Sequence, residues 1–221
     1  MDVEAILVIA LCIILGLWYA WGYLYNRHRG QRLFRWLEQG LDVLGGEREA
    51  GWLGSPASGA RINITRAASP FRRIEITLLI TNREFFIAWL LDHLRGSQDW
   101  LIIKATLRSP CRGEVEILLT GDRIAKGLRA EQEFAWICQE TPRLLIAHRG
   151  PGAERQANAL KPWLASYEPT LHRLSWRKTD PHIQIQMAVN PLSATTDSSQ
   201  SFWTDLQNTI QNVTQIERTN K

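Results

Sequence analysis

The side chains best suited to chemistry in this sequence are basic ones that cluster directly after an uncharged segment. Arg27, Arg29, Arg32 and Arg35 lie close together near the start of the chain. A guanidinium group binds phosphate through paired hydrogen bonds. Each basic residue beside a membrane also contributes about 1 kcal/mol of attraction to anionic headgroups. The cluster therefore predicts contact with anionic lipid, or with the phosphates of RNA.

The remaining reactive side chains do not form a known catalytic pattern. The sequence has no phosphate-binding loop, no HExxH helix, no CxxC pair and no GxSxG turn. We interpret His93, beside Asp92 on an apolar helical stripe, as a packed core histidine. A reactive thiol at Cys111, whose pKa nearby arginines would lower, is the alternative that the sequence leaves open. We predict a non-enzymatic protein without catalytic residues, cofactor, metal or small-molecule substrate.

The uncharged segment before the arginines is long enough to cross a membrane. It runs from Ala5 to Tyr25, which as a helix measures about 31 Å against a hydrocarbon core of about 30 Å. Its last turns are aromatic, with Trp18 and Trp21 placed as in an interfacial belt. A cleaved signal peptide would need a basic start and a small-residue cleavage site. We predict an uncleaved transmembrane helix over 5–25, preceded by a non-cytosolic tail over 1–4.

The distribution of charge around this segment predicts its orientation. Basic residues follow the segment, and neither Lys nor Arg precedes it. By the positive-inside rule the C-terminal side faces the cytosol and the N-terminal tail lies outside. The expected location is the endoplasmic reticulum or a prokaryotic plasma membrane.

Residues 26–46 predict a basic amphipathic helix next to the membrane. Leu33, Leu37 and Leu41 fall on one face, and Gly45-Gly46 ends the pattern. This face either rests in the membrane interface or packs on the following domain, and both alternatives stay open. Together with Trp18, Trp21 and the four arginines, Trp36 completes the predicted membrane-contacting set.

The rest of the chain predicts one folded domain and a polar tail. Residues 47–60 are rich in small residues and predict a linker. Over 61–190, runs of period two alternate with helical runs in the order ββαββαβαββ, which predicts an α+β domain with a largely antiparallel sheet and helices on one face. Within it, Ser109–Gly113 predicts a hairpin-sized turn between two strands, and Thr179–Pro181 predicts a hairpin that pairs the last two strands. Thr81–Glu84 predicts a capping box.

The tail over 191–221 contains an apolar stripe at heptad-like spacing. Trp203, Leu206, Ile210 and Val213 form this stripe, which is too short to hold a coiled coil by itself. It therefore predicts a contact with a partner. The chain's own domain, another protein and the bilayer surface all remain open as that partner.

The layout of these segments resembles the calumin family of single-span endoplasmic-reticulum proteins. The likeness covers residues 9 to about 190, and it rests on an aromatic anchor ending GLWYAWGYLYNRHRG, the amphipathic RLFRWLEQGLDVLGG, and the element order around RIEITLLITNREFFIAWLLDHL. The family belongs to a complex that assists insertion of multi-spanning membrane proteins beside the ribosome-bound translocon. The resemblance therefore implies a role in membrane-protein biogenesis, with the bilayer, translocon or insertion factors, and the ribosome as partners.

Two departures limit what the resemblance implies. The family's long acidic lumenal region has no counterpart here, so calcium binding does not carry over. The family's basic coiled coil corresponds only to the short Phe202–Ile216 segment. A scaffold or assembly subunit of another membrane complex, and a membrane-tethered enzyme with an unrecognised site, remain the alternative functions.

Overall fold

A long first helix, a nine-stranded sheet, four further α-helices and a 3-10 helix over Leu41–Leu44 make up the described structure. The computed structural model describes residues 3–109, 111–130, 136–189 and 199–218. The helices are α1 Val3–Gly40, α2 Phe86–Leu94, α3 Arg123–Ala130, α4 Ala153–Tyr167 and α5 Ser199–Arg218. The strands are β1 Glu47–Trp52, β2 Gly59–Thr65, β3 Phe71–Leu79, β4 Trp100–Leu107, β5 Glu114–Leu119, β6 Ile137–Glu140, β7 Leu144–Arg149, β8 Leu171–Trp176 and β9 Ile183–Ala188. The predicted α+β class is confirmed.

The helix α1 joins the predicted membrane span and the predicted juxtamembrane helix without a break. Among the described residues it is the one helix long and apolar enough to cross a membrane, and none of its most apolar window is buried. Its C-terminal part is instead packed on the domain, since Leu33 and Leu37 are buried in the core, as is Leu41 in the 3-10 helix that follows. Of the two alternatives for this apolar face, the structure therefore shows packing on the domain.

The sheet is antiparallel throughout, with strand order β1-β2-β3-β4-β9-β8-β5-β7-β6. Its register aligns one continuous row of branched apolar side chains across seven strands. The row consists of Ile62, Ile76, Ile103, Ile185, Leu174, Ile117 and Ile146. Each of these side chains is buried in the same hydrophobic cluster, so the row forms the floor of the main core.

Both faces of the sheet carry a helix. The C-terminal part of α1, together with α4 and α5, covers the face with the main core. The opposite face carries α3, where Ala125 and Leu128 pack on Leu118 and Leu145 in a smaller cluster. The large helices thus share one face, as the sequence predicts, and α3 adds a second, smaller layer.

The predicted linker over 47–60 is wrong for its first part, because β1 occupies Glu47–Trp52. This strand pairs with β2 in regular antiparallel register. All its residues are exposed because it is the edge of the sheet. A strand exposed on both faces has no apolar alternation, so the period-two signal that identifies other strands is missing.

The predicted hairpin around Ser109–Gly113 is also wrong. The strands β4 and β5 that flank it are not neighbours, because β9 and β8 lie between them in the sheet. The predicted hairpin over Thr179–Pro181 is confirmed, since β8 and β9 pair directly. Turn composition identifies a change of direction but does not say which strands then pair.

The amphipathic stripe in the tail belongs to the domain core. Trp203, Leu206, Ile210 and Val213 of α5 are almost fully buried, and Trp203 Nε1 donates a hydrogen bond of 3.3 Å to the Leu37 carbonyl oxygen of α1. Of the three partners that the sequence leaves open for this stripe, the structure therefore shows the chain's own domain. The helix α5 covers the sheet beside α1 and α4, which completes the core; residues 191–198 and 219–221 of the predicted tail lie outside the described residues.

Candidate functional site

One face of α1 docks on the loop between β3 and α2 where the helix leaves its apolar span. Trp18, Gly22, Asn26 and Arg29 follow each other at three- and four-residue spacing, so they share this face. Opposite them lie the β3–α2 loop, with Thr81 and Arg83, and the buried Asp99 just before β4. We call these seven residues the exit junction.

Asp99 is the centre of the exit junction. Its side chain is fully buried and pairs with two guanidinium groups, at 2.5 Å from Arg29 Nε and 3.2 Å from Arg83 Nη1. The backbone N–H of Thr81 donates a third hydrogen bond of 2.9 Å to the same carboxylate. Removing one partner of a buried ion pair costs about 3–5 kcal/mol, so this contact holds α1 firmly to the sheet.

The pKa of Asp99 is shifted both by its burial and by its hydrogen-bonded and charged partners. Burial is the largest single influence and raises the pKa of the carboxyl group. The hydrogen bonds from Thr81 and Arg29, together with the charges of Arg83 and Arg29, outweigh burial, so the pKa lies below its ordinary value. The carboxylate is therefore ionised at neutral pH.

Asn26 extends the network along α1. It is 1% exposed, and its Nδ2 donates to the Thr81 carbonyl oxygen at 3.0 Å. Its Oδ1 accepts a hydrogen bond of 3.0 Å from Arg83 Nη1. The predicted capping box at Thr81–Glu84 is wrong, because α2 begins only at Phe86 and the Thr81 backbone groups serve Asp99 and Asn26 instead.

The aromatic side chains of α1 lie next to this network. Trp18 Nε1 donates to the Arg83 carbonyl oxygen at 3.1 Å, and its ring centroid lies 4.9 Å from Phe86 and 5.1 Å from Trp89 of α2. Trp21 is exposed and stacks on Tyr25. The predicted aromatic belt is thus divided, with Trp18 inside the α1–α2 contact and Trp21 on the outer surface.

The predicted arginine cluster is divided in the same way. Arg27, Arg32 and Arg35 are exposed along α1, where they are free to meet anionic groups. Arg29 is mostly enclosed by its ion pair with Asp99. Trp36 departs from the predicted outward surface, because its ring packs near Phe202 of α5 and its indole nitrogen is buried.

A second buried carboxylate lies on the opposite side of the sheet. Glu116 accepts hydrogen bonds from Ser175 Oγ at 2.6 Å and from the guanidinium groups of Arg173 and Arg177 at 3.0–3.2 Å. All its neighbours are thus occupied in fixing β5 to β8 and to the start of the β8–β9 turn. This arrangement links the two strands and engages both carboxylate oxygens of Glu116.

The other reactive groups are dispersed. The structure places His93 on the surface, stacked on Trp89 at 5.4 Å, so the prediction of a packed core histidine is wrong. Cys111 is buried, and burial followed by the charge of Glu140 raises the pKa of Cys138. Within the described ranges, no group of three or more His, Cys, Asp or Glu side chains is placed to hold a metal ion.

Sequence reasoning missed Asn26, Arg83 and Asp99, although one signal was available. Gly22, Asn26 and Gly30 recur at every fourth position of α1, and all three are buried. A stripe of small and amide residues crossing an otherwise bulky apolar helix indicates a face where another backbone approaches closely. No such signal marks Asp99, because its partners lie 18 and 70 residues away in the chain.

The fold and the exit junction define an α+β protein fixed rigidly to a candidate membrane-spanning helix. A scan of protein-family models gives no match to this chain, and no curated protein shows significant sequence similarity to it.

Gly22 tests the close approach at the exit junction. A Cβ atom there would lie 2.8 Å from the Arg83 carbonyl carbon, whereas one at Gly16 meets open space. We expect Gly22→Ala to destabilise the docked domain by about 1–3 kcal/mol through overpacking. Gly16→Ala, the matched control, should be neutral or slightly stabilising. Thermal unfolding in lipid nanodiscs measures both, and equal midpoints would contradict the docked geometry.

Asp99 predicts a pH dependence of stability. Because its folded-state pKa is depressed, the ion pairs stabilise the fold above the unfolded pKa of about 3.9, and this contribution is lost as the pH falls through the folded value. We expect Asp99→Asn to cost about 3 kcal/mol at neutral pH and progressively less in acid. Urea unfolding at several pH values measures this. Asp42→Asn, whose side chain is 90% exposed, is the control and should stay close to wild type throughout.

Proposed function

We propose that this protein is a single-pass membrane protein without enzymatic activity that assists the insertion or folding of other membrane proteins. Its sheet domain would face the cytosol and bind translocon, insertion or ribosomal components. The observation that carries the proposal is the exit junction, which fixes the domain to the anchor in one orientation.

A protein that only needs to stay attached to a membrane does not require a rigid junction between its domain and its anchor. A flexible linker of a few polar residues keeps a domain at a membrane and leaves its orientation free. Here α1 continues as one helix from the apolar span into the core, where Leu33 and Leu37 are buried. Asp99 then locks the same helix from the side. A domain held in this way presents one defined surface to the molecules beside it in the membrane plane. A fixed surface of this kind is suited to binding neighbouring membrane proteins.

The charge and the resemblance to the calumin family support the same proposal. The exposed arginines of α1 lie where anionic headgroups and ribosomal RNA phosphates would be met on the cytosolic side. The resemblance of the sequence layout to that family motivates the role in membrane-protein biogenesis. A scaffold subunit of another membrane complex would use the same features, so it is the second candidate, and its partner would be a stable non-ribosomal complex.

Purification of the intact protein from native membranes tests the proposal. In mild detergent and low salt, we expect it to bring down insertion machinery or incompletely assembled multi-spanning proteins, with ribosome association that weakens as salt rises. Asp99→Asn, which loosens the junction, should reduce this recovery at equal expression. Recovery of one stable non-ribosomal complex would favour the scaffold candidate, and recovery of the protein alone would contradict both.

The orientation is tested by reversing exposed charge. Replacing Arg27, Arg32 and Arg35 with Glu, while leaving Arg29 in its ion pair, should invert or mix the topology. Protease protection of the sheet domain in sealed vesicles measures the outcome. The control carries the same substitutions to Gln, which remove charge without reversing it and should perturb topology less. An unchanged protection pattern in the Glu variant would contradict the predicted orientation.

A further inference from the structure

The helix α2 differs from the other amphipathic helices in the described part of the chain because its apolar side chains are not covered. None of its nine residues is buried, and the large apolar residues of this segment are exposed: Phe85, Phe86, Ile87, Leu90, Leu91 and Leu94. Exposure reaches 70% at Ile87 and 74% at Leu94. The comparable stripes of α1 and α5 are buried in the core. An exposed apolar patch of this kind marks an interaction surface.

The position of α2 along α1 identifies what covers this surface. Phe86 and Trp89 pack on Trp18, and the ring of Phe85 lies 6.0 Å from that of Tyr19. The apolar span ends at Tyr25. At a rise of about 1.5 Å per residue, Trp18 lies about 10 Å from Tyr25 along the helix axis, within the span. Any bilayer that α1 crosses therefore surrounds the start of α2 as well.

The ion-pair network of the same segment lies on the domain side of this level, although Asp92 and His93 lie on α2 itself. The Thr81 carbonyl oxygen and the Arg83 guanidinium contact Asn26, and Asp99 pairs with Arg29, whereas the Arg83 carbonyl oxygen accepts a hydrogen bond from Trp18. From Thr81 to Phe85 the chain runs along α1 toward the N-terminus of that helix. After α2 the chain returns to Asp99. The segment thus has a polar base at the membrane exit and an apolar tip beside the span, as a membrane-inserted loop requires.

The backbone at the C-terminal end of α2 fits the same environment. The N–H groups of Arg95, Gly96 and Ser97 donate to carbonyl oxygens of the last turn, at 2.8–3.1 Å. These bonds satisfy acceptors that would otherwise need water. The exposed Arg95 follows directly, and its long side chain can reach headgroups from there. At nine residues, about 13 Å, α2 is too short to cross a core of about 30 Å.

We propose that residues 85–94 lie within the acyl-chain and headgroup boundary of the bilayer as a second, non-spanning membrane element beside α1. The partner of this surface is lipid, which contacts the outward side chains at Phe85, Ile87, Leu91 and Leu94. The proposal rests on α1 crossing a membrane, which is one part of the proposed function, and not on a role in membrane-protein biogenesis. With α1 and α2 both inserted and the exit junction between them, the domain is held to the bilayer at two points and cannot rotate about the anchor.

Fluorescence quenching by lipid tests this in the full-length protein. An environment-sensitive fluorophore is attached at Ile87→Cys or Leu94→Cys after the three native cysteines are replaced by alanine. Leu17→Cys on the exposed surface of α1 is the lipid reference, and Asp42→Cys is the water reference. The proteins are reconstituted, at about one copy per vesicle, in phosphatidylcholine with brominated acyl chains. We expect the α2 labels to shift to the blue and to be quenched to an extent similar to the Leu17 label.

Three results would overturn the proposal. Labels on α2 that behave like the Asp42 label would place the helix in water. Blue-shifted labels that bromine does not quench would mean that protein covers the helix. Failure of a photoactivatable acyl-chain lipid to modify residues 85–94 of the unlabelled wild-type protein, while it modifies α1, would exclude contact independently of any substitution. Absence of biogenesis partners in the purification would leave this proposal intact, whereas an unquenched Leu17 label would remove the anchor on which it rests.

Discussion

The buried carboxylate of Asp99 is the interaction on which the arrangement of this protein depends. A charge removed from water is costly unless its partners supply both opposite charge and hydrogen bonds. Arg29 from α1, Arg83 from the β3–α2 loop and the Thr81 backbone N–H supply both. Because these partners come from two segments and Asp99 itself directly precedes β4, satisfying one carboxylate fixes the helix, the loop and the sheet relative to each other.

This constraint determines which surfaces of the protein would contact a membrane. With α1 fixed, the segment that carries α2 runs along this helix, and the aromatic side chains of α2 contact Trp18. The exposed arginines of α1 then flank the polar network on the domain side, and the apolar residues lie on the other. Charge and apolar surface are thus separated along one axis, which is the arrangement that a bilayer boundary imposes on a protein embedded in it.

The core shows the same dependence on distant segments. Three helices, α1, α4 and α5, cover the row of branched side chains that crosses the sheet. Of these, α1 and α5 lie near opposite ends of the chain. Trp203 of α5 reaches the Leu37 carbonyl oxygen of α1, so the anchor helix and the last described helix share one contact. The C-terminal part of α1 is therefore part of the domain's core, so the candidate span, the segment that follows it and the last described helix are not separate modules.

Features that depend on local pattern could be predicted from the sequence alone: the apolar length of the first helix, the period-two strands, the α+β class and the turn between β8 and β9. These follow from the periodicity and composition of neighbouring residues. The folded structure was needed to show that 47–52 is an edge strand, that the α5 stripe covers the chain's own core, and that β4 and β5 are separated. It also brought Asp99 to Arg29 and left α2 uncovered. Each of these outcomes depends on which distant surface a segment meets, and pairing across tens of residues leaves no trace in local periodicity.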